Sequence, residues 1–237
     1  MEAKKGRRKM KKFELTTEFI TNAFGKKLFR IKALVEFGDV KAGELGGYVE
    51  KEENVSQDGD AWVSGNAEVS GDAEVRDNAE VSGDAKVRGN AEVSGNAWVR
   101  GNAEVSGNAE VSGDAEVRDN AEVSGNAKVR GNAEVYGNAK VSGNAWVRGN
   151  AEVSGDAEVR DNADYTLVQG FGTKFRCTTF YRGKNKKIMV NCGCFRGDLE
   201  GFRKQVKETR SGKIAKEYLM IADLMEYHFT SEDSSDE

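Results

Sequence analysis

The chain has no proline, one histidine and three cysteines in 237 residues. Without proline, neither a polyproline nor a collagen-like helix is open to it. Three cysteines are too few for a disulfide framework, and their odd number points to a reducing compartment. No apolar run approaches the roughly 20 residues of a membrane span. The N-terminus is basic but carries no apolar stretch of the kind a secretory signal needs. Together these absences predict a soluble cytoplasmic protein with no membrane partner. One histidine also excludes zinc held by histidines alone.

Glycine, by contrast, is abundant at 28 residues, and it falls in register. From Gly59 the unit Gly-Asn/Asp-Ala-x-Val-x runs without interruption. Alanine fills every sixth position from Ala61 to Ala163. Valine follows two places later from Val63 to Val159, and Tyr165 takes the last such slot. A helix has no reason to place small and branched residues at strict sixes, and a simple strand would turn at other intervals. The pattern predicts a triangular coil in which each hexapeptide supplies one short strand and one corner. Valine and alanine point inward and the two x positions outward. The Asn/Asp slot is placed at the bend, because those residues tolerate left-handed backbone, and the neighbouring glycine allows the sharp turn. Three units per coil give about six coils and a rod of roughly 30 Å.

Here the residues resemble the hexapeptide-repeat family. The resemblance implies a left-handed parallel β-helix, the hand that the crossover rule alone would not give. Familiar members are acyltransferases, which use a histidine base beside a loop that interrupts the coil. This chain has no such loop, and His228 lies outside the repeat. His228 continues the stripe Ile214, Tyr218, Ile221 and Met225 and is expected to be a packed helix residue. Further segments sharpen the resemblance. Arg30–Leu34, Gly38–Gly43, Glu44–Glu50 and Glu53–Gln57, with Thr178–Tyr181, Cys192–Phe195 and Ala215–Tyr218, are similar to a prophage and bacterial group labelled as transferases or polymer-forming proteins. That group commonly carries a histidine near the position of Arg210.

The predicted organisation is mainly β. A basic flexible arm (1–12) precedes an N-terminal β cap (13–58). The β-helix (59–165) is followed by a small C-terminal α+β domain of a hairpin and two helices (166–229) and an acidic tail (230–237). Charge follows these divisions. Residues 1–51 carry 13 basic and 7 acidic side chains, residues 52–164 carry 10 and 23, and residues 165–229 carry 13 and 6. An acidic rod thus separates two basic ends, either for interaction or because outward solenoid positions must be polar. A second period overlies the first: Glu68–Asn78 recurs identically from Glu110 and Glu152, 42 residues apart. Seven hexapeptides make two and a third coils, so each copy turns by one face. Length is therefore favoured over a repeated side-chain array.

Candidate contact residues are few. Trp62, Trp98 and Trp146 take outward slots, with Tyr136 a further outward aromatic. They are expected to serve self-association, a trimer being the usual form in the family, or a ligand or partner. In the C-terminal domain, Lys174–Arg182 and Lys187–Phe195 are expected to pair around Gly183–Lys186, with Asp198 capping a helix that carries Leu199, Phe202 and Val206. A second helix is expected over Lys213–Phe229. That pairing would set Cys177 opposite Cys192. With Cys194 these are weak metal candidates, but a fourth ligand is missing, so no metal or cofactor is assigned. Arg176, Arg182, Lys184, Lys186 and Lys187 with Phe180 and Tyr181 suit a nucleotide phosphate or nucleic acid, or simply a solvated hairpin. The leading expectation is a non-catalytic binding or scaffold protein. By its resemblance it would be phage-encoded and would hold a host component, such as one of antiviral defence. The alternatives are an acyltransferase with a site between chains and nucleic-acid binding through the basic ends.

Overall fold

A computed structural model of the chain describes residues 10–230, the side chain of Asn185 excepted. The first nine residues of the basic arm and residues 231–237 of the tail lie outside the described residues. The centre is a parallel β-solenoid of about six turns. Most hexapeptides contribute a two-residue strand ending in valine (Glu110–Gly113 and Lys128–Gly131 run two residues longer), which stacks on the strand 18 residues further on: Glu68 on Lys86 and Val69 on Val87. Three parallel sheets result, one per side of the coil. Every valine from Val63 to Val159 is fully buried, as is every alanine from Ala61 to Ala157. Branched side chains fill the flat sides, and only a methyl group fits the corners. Coils are joined by N–H groups donating to carbonyls in the next coil, as Trp98 does to Ala115 and Arg100 to Val117, both at 2.9 Å.

The corners differ from expectation. The left-handed residue is the glycine, with φ of +72° at Gly101 and +73° at Gly107. Asp77 and Asp119, which replace glycine, adopt it too, at 61° and 63°. The asparagines instead build ladders along the corners, Asn102 Nδ2 donating to Asn120 Oδ1 and Asn108 Nδ2 to Asn126 Oδ1, each at 3.0 Å.

The solenoid also starts before Gly59. Tyr48 and Val49 pair in parallel with Glu68 and Val69, and Val55 bridges Val75. Buried Asn54 takes a corner there, its Nδ2 donating to the Gly71 and Ala73 carbonyls. The last solenoid strand is Glu158–Val159, and Ala163 is exposed rather than a core residue.

The N-terminal cap is a hairpin of Phe13–Thr21 and Lys27–Ala33. Its second strand pairs antiparallel with Leu45–Val49, which hands over to the parallel sheet. The strand Phe13–Thr21 is an addition to the expected cap. Lys11 and Lys12 belong to the cap and not to a free arm. Lys11 pairs with Glu52 at 2.6 Å. The buried ammonium of Lys12 donates to the carbonyls of Ala61 (2.8 Å) and Gly59 (3.2 Å). Those carbonyls would otherwise accept from a preceding coil that does not exist.

Burial lowers the Lys12 pKa from 10.5 to about 8, against the pull of Asp60 and Asp58. Between those values the unfolded chain binds the extra proton, so stability should rise with pH across that window. Urea denaturation from pH 8 to pH 10.5 should show a gain on the order of 2 kcal/mol. Lys12→Met should lack that gain; the same rise in the variant would assign it to other groups.

The far end is closed by an antiparallel meander of Tyr165–Phe171, Arg176–Arg182, Ile188–Cys192 and Phe195–Asp198. Expectation had only the middle two strands. One face, with Tyr165, Tyr181 and Met189, continues the solenoid core. The other, with Phe180 and Val190, packs on α1 (Leu199–Thr209) and α2 (Gly212–Thr230). Asp198 caps α1 as expected, accepting from the Gly201 N–H at 2.9 Å. Among the described residues no helix is long and apolar enough to cross a membrane.

Candidate functional site

The structure disperses most of the sequence-derived candidates. Trp62 is not a surface contact. The cap covers it, with Phe13 and Phe37 ring centroids at 6.2 and 5.4 Å, leaving it 4% exposed. Trp98 and Trp146 are 50% and 42% exposed but lie on different sheets of the solenoid. Trp98 sits between Glu80 and Glu116, and Trp146 lies under the cations of Lys128 and Arg130. Tyr136 is half-buried and accepts from Arg196 Nε at 2.6 Å, tying the coil to the C-terminal domain.

Phe180 and Tyr181 are buried and so cannot stack on a ligand. Their alternation sends Phe180 to the helices and Tyr181 to the solenoid end, which a one-sided basic-aromatic surface does not allow. The basic ring is split as well. Arg176 and Arg182 stand at opposite ends of one seven-residue strand, about 20 Å apart. Arg182 pairs with Asp164 at 2.9 Å and Lys187 approaches Asp198 at 3.9 Å. Lys184 and Lys186 are exposed on the turn.

The cysteine expectation fails on register. Thr178, not Cys177, lies opposite Cys192. A shift of one residue changes the face, so Cys192 joins the helix-side core while Cys177 is turned toward the solenoid. Among the described residues no cluster of three His, Cys, Asp or Glu could hold a metal. His228 is exposed, because Ala222, Met225 and Phe229 form the buried stripe of α2 instead.

Between the solenoid end and the sheet runs a buried polar seam. Asn191 Nδ2 donates to the Glu152 carbonyl (3.1 Å) and to Ser154 Oγ (3.0 Å). The Tyr181 hydroxyl reaches the Ser154 carbonyl at 3.2 Å, and the Glu152 N–H donates to Thr179 Oγ1 at 3.1 Å. Burial pushes the Tyr181 hydroxyl pKa up, so it stays a neutral donor.

On the opposite face of the sheet lies a cleft of about 310 Å³. The hairpin turn brings Lys174 and Arg176, α1 ends in Arg210, and α2 supplies Tyr218. Phe202 and Val206 form an apolar floor, with Cys192 and Phe195 beside it. Arg176 lies so close to Gly193 that a β-carbon there would collide with its guanidinium. The Tyr218 hydroxyl donates to the Phe171 carbonyl at 3.3 Å. Burial, with Cys192 beside it, raises its pKa, against the opposing pull of Arg210 and Arg176. Among the described residues no carboxylate lines the cleft.

Of this site, sequence reasoning had Arg176 as a binding candidate and Cys192 only as a weak metal candidate. Lys174 was read only as the start of a strand. Arg210 comes from a helix terminus remote in sequence, and no local pattern joins it to Arg176. The chain matches no family model and no curated protein, so neither comparison supports a phage or transferase label.

Proposed function

We propose that the chain is a non-catalytic binding protein in which the solenoid is a shaft and the C-terminal domain is the recognising end. One contrast carries the reading. Along the shaft, most of the cations are consumed internally, and the charge left over is acidic. Arg76 pairs with Glu92, Arg88 with Glu104 at 2.8 Å, Arg118 with Glu134 at 3.3 Å and Arg130 with Glu110 at 2.7 Å, each joining neighbouring coils. At the C-terminal end, Lys174, Arg176 and Arg210 face one cleft with no ion-pair partner among the described residues. Exposed pairs contribute about 0–1 kcal/mol each, but they leave the shaft few free cations with which to hold an anionic partner.

The test is capture of components from a bacterial lysate by three variants. Removing residues 96–113 deletes one whole coil and leaves both capped ends intact, so capture should persist. The double variant Arg176→Glu, Arg210→Glu should lose it. Trp98→Ala with Trp146→Ala should keep it. Capture that follows the tryptophans would move recognition to the shaft, and an absence of any specific component would sink the reading.

A further inference from the structure

We propose that the cleft between the turn at Lys174, the end of α1 and α2 takes a small organic phosphate of mononucleotide size. Its phosphate would sit among Lys174, Arg176 and Arg210, and its planar or apolar body against Phe195 and the Tyr218 ring. The proposal rests on the reading of the C-terminal domain as the recognising end, and it names the chemistry of what is recognised there.

Charge is the first argument. Other arginines of the same domain have acidic partners: Arg182 with Asp164, Arg196 with Glu152 and Arg203 with Asp223 and Glu226. The three cations of the cleft have none among the described residues; Lys174 and Arg176 come from one hairpin turn and Arg210 from the end of α1. Like charges gathered without counterions repel, and a bound anion removes that repulsion. A phosphate monoester carries about −1.5 to −2 at neutral pH, against −1 for a carboxylate. It also offers several oxygens to two guanidiniums, which bind such groups in a fork.

Shape is the second argument. The volume of about 310 Å³ falls at the small end of ligand pockets, so a polymer strand has no track here. Phe202 and Val206 close the bottom, and half-buried Phe195 and Tyr218 offer ring surface above it. A bare phosphate would leave that apolar surface wet, whereas a nucleobase would cover it.

The experiment is titration calorimetry on the full chain with AMP, GMP, CMP and UMP in turn, and with inorganic phosphate and citrate. At least one nucleoside monophosphate is expected to bind at least about tenfold more tightly than inorganic phosphate or citrate. Arg176→Glu and Arg210→Glu should each weaken that binding by about tenfold or more. Both side chains are exposed, so the fold should survive, as a melting curve would verify. Lys187→Glu, at the other end of the sheet, should leave binding unchanged.

Failure of all four nucleotides overturns the proposal. So does equal binding of inorganic phosphate or citrate, or an equal loss with Lys187→Glu. If the nucleotides fail while lysate capture still depends on Arg176 and Arg210, this inference falls and the binding-protein reading stands. If a nucleotide binds as described but capture is indifferent to those arginines, the cleft assignment stands and the wider reading falls.

Discussion

Asn191→Leu should lower the unfolding free energy by about 3 kcal/mol, read as a shift in the urea midpoint with an unchanged slope. The reason lies in the direction of the ladder. Every coil satisfies the one before it, so the last coil has backbone groups with no successor. At its Glu152–Val153 strand these are met by side chains of the terminal sheet: Thr179 for the Glu152 N–H, Asn191 for the Glu152 carbonyl and Tyr181 for the Ser154 carbonyl. Leucine matches asparagine in size but cannot donate. It would leave the Glu152 carbonyl and Ser154 Oγ short of a donor in a buried seam, at about 1–3 kcal/mol per stranded group. Tyr181→Phe, which removes one hydroxyl, should cost about 1–2 kcal/mol. An Asn191→Leu midpoint equal to that of the parent would show that water reaches the seam, and the capping account would fail.

A second large effect separates two costs that usually travel together. Gly95 and Gly155 have nearly the same left-handed backbone, φ +71° and +66°. A β-carbon at Gly155 meets nothing within 4 Å. At Gly95 it would lie 2.9 Å from both the backbone nitrogen and the backbone oxygen of Gly113 in the next coil. Gly155→Ala should therefore cost only the conformational penalty, about 1–2 kcal/mol. Gly95→Ala adds a clash that neither backbone can relieve without opening the ladder, for a total of about 3–4 kcal/mol. Thermal or urea unfolding of the pair reads the difference directly. Equal losses would mean that the coils can spread at a corner without penalty.

The repeat was legible because it is over-determined. Alanine and valine at strict sixes admit one packing, and the structure has it. What surrounds the repeat was less so, for identifiable reasons. The first coil hides its period because Val49 and Val55 pair with Val69 and Val75, 20 residues on instead of 18, and because it buries an asparagine, Asn54, that donates to the Ala73 carbonyl. Trp62 and Trp98 occupy the same slot, but slot gives only the direction of a side chain. Whether a cap lies over it depends on Phe13 and Phe37, which are distant in sequence. The faces of Cys177 and Cys192 turned on one residue of register, which the turn Gly183–Lys187 decides. The same logic hid the cleft: Arg176 and Arg210 meet only because α1 folds back over the sheet.

The 18-residue coil and the 42-residue duplication have a joint mechanical consequence. Adding or losing one such duplicate would alter the separation of the two end domains by about 11 Å, two and a third strand spacings. It would also swing one end about the axis by a third of a revolution. Distance and azimuth are thus geared to each other, as in a threaded gauge. Only multiples of three duplicates, or whole coils of 18 residues, would change the reach of the molecule while keeping its two ends pointing as they do now.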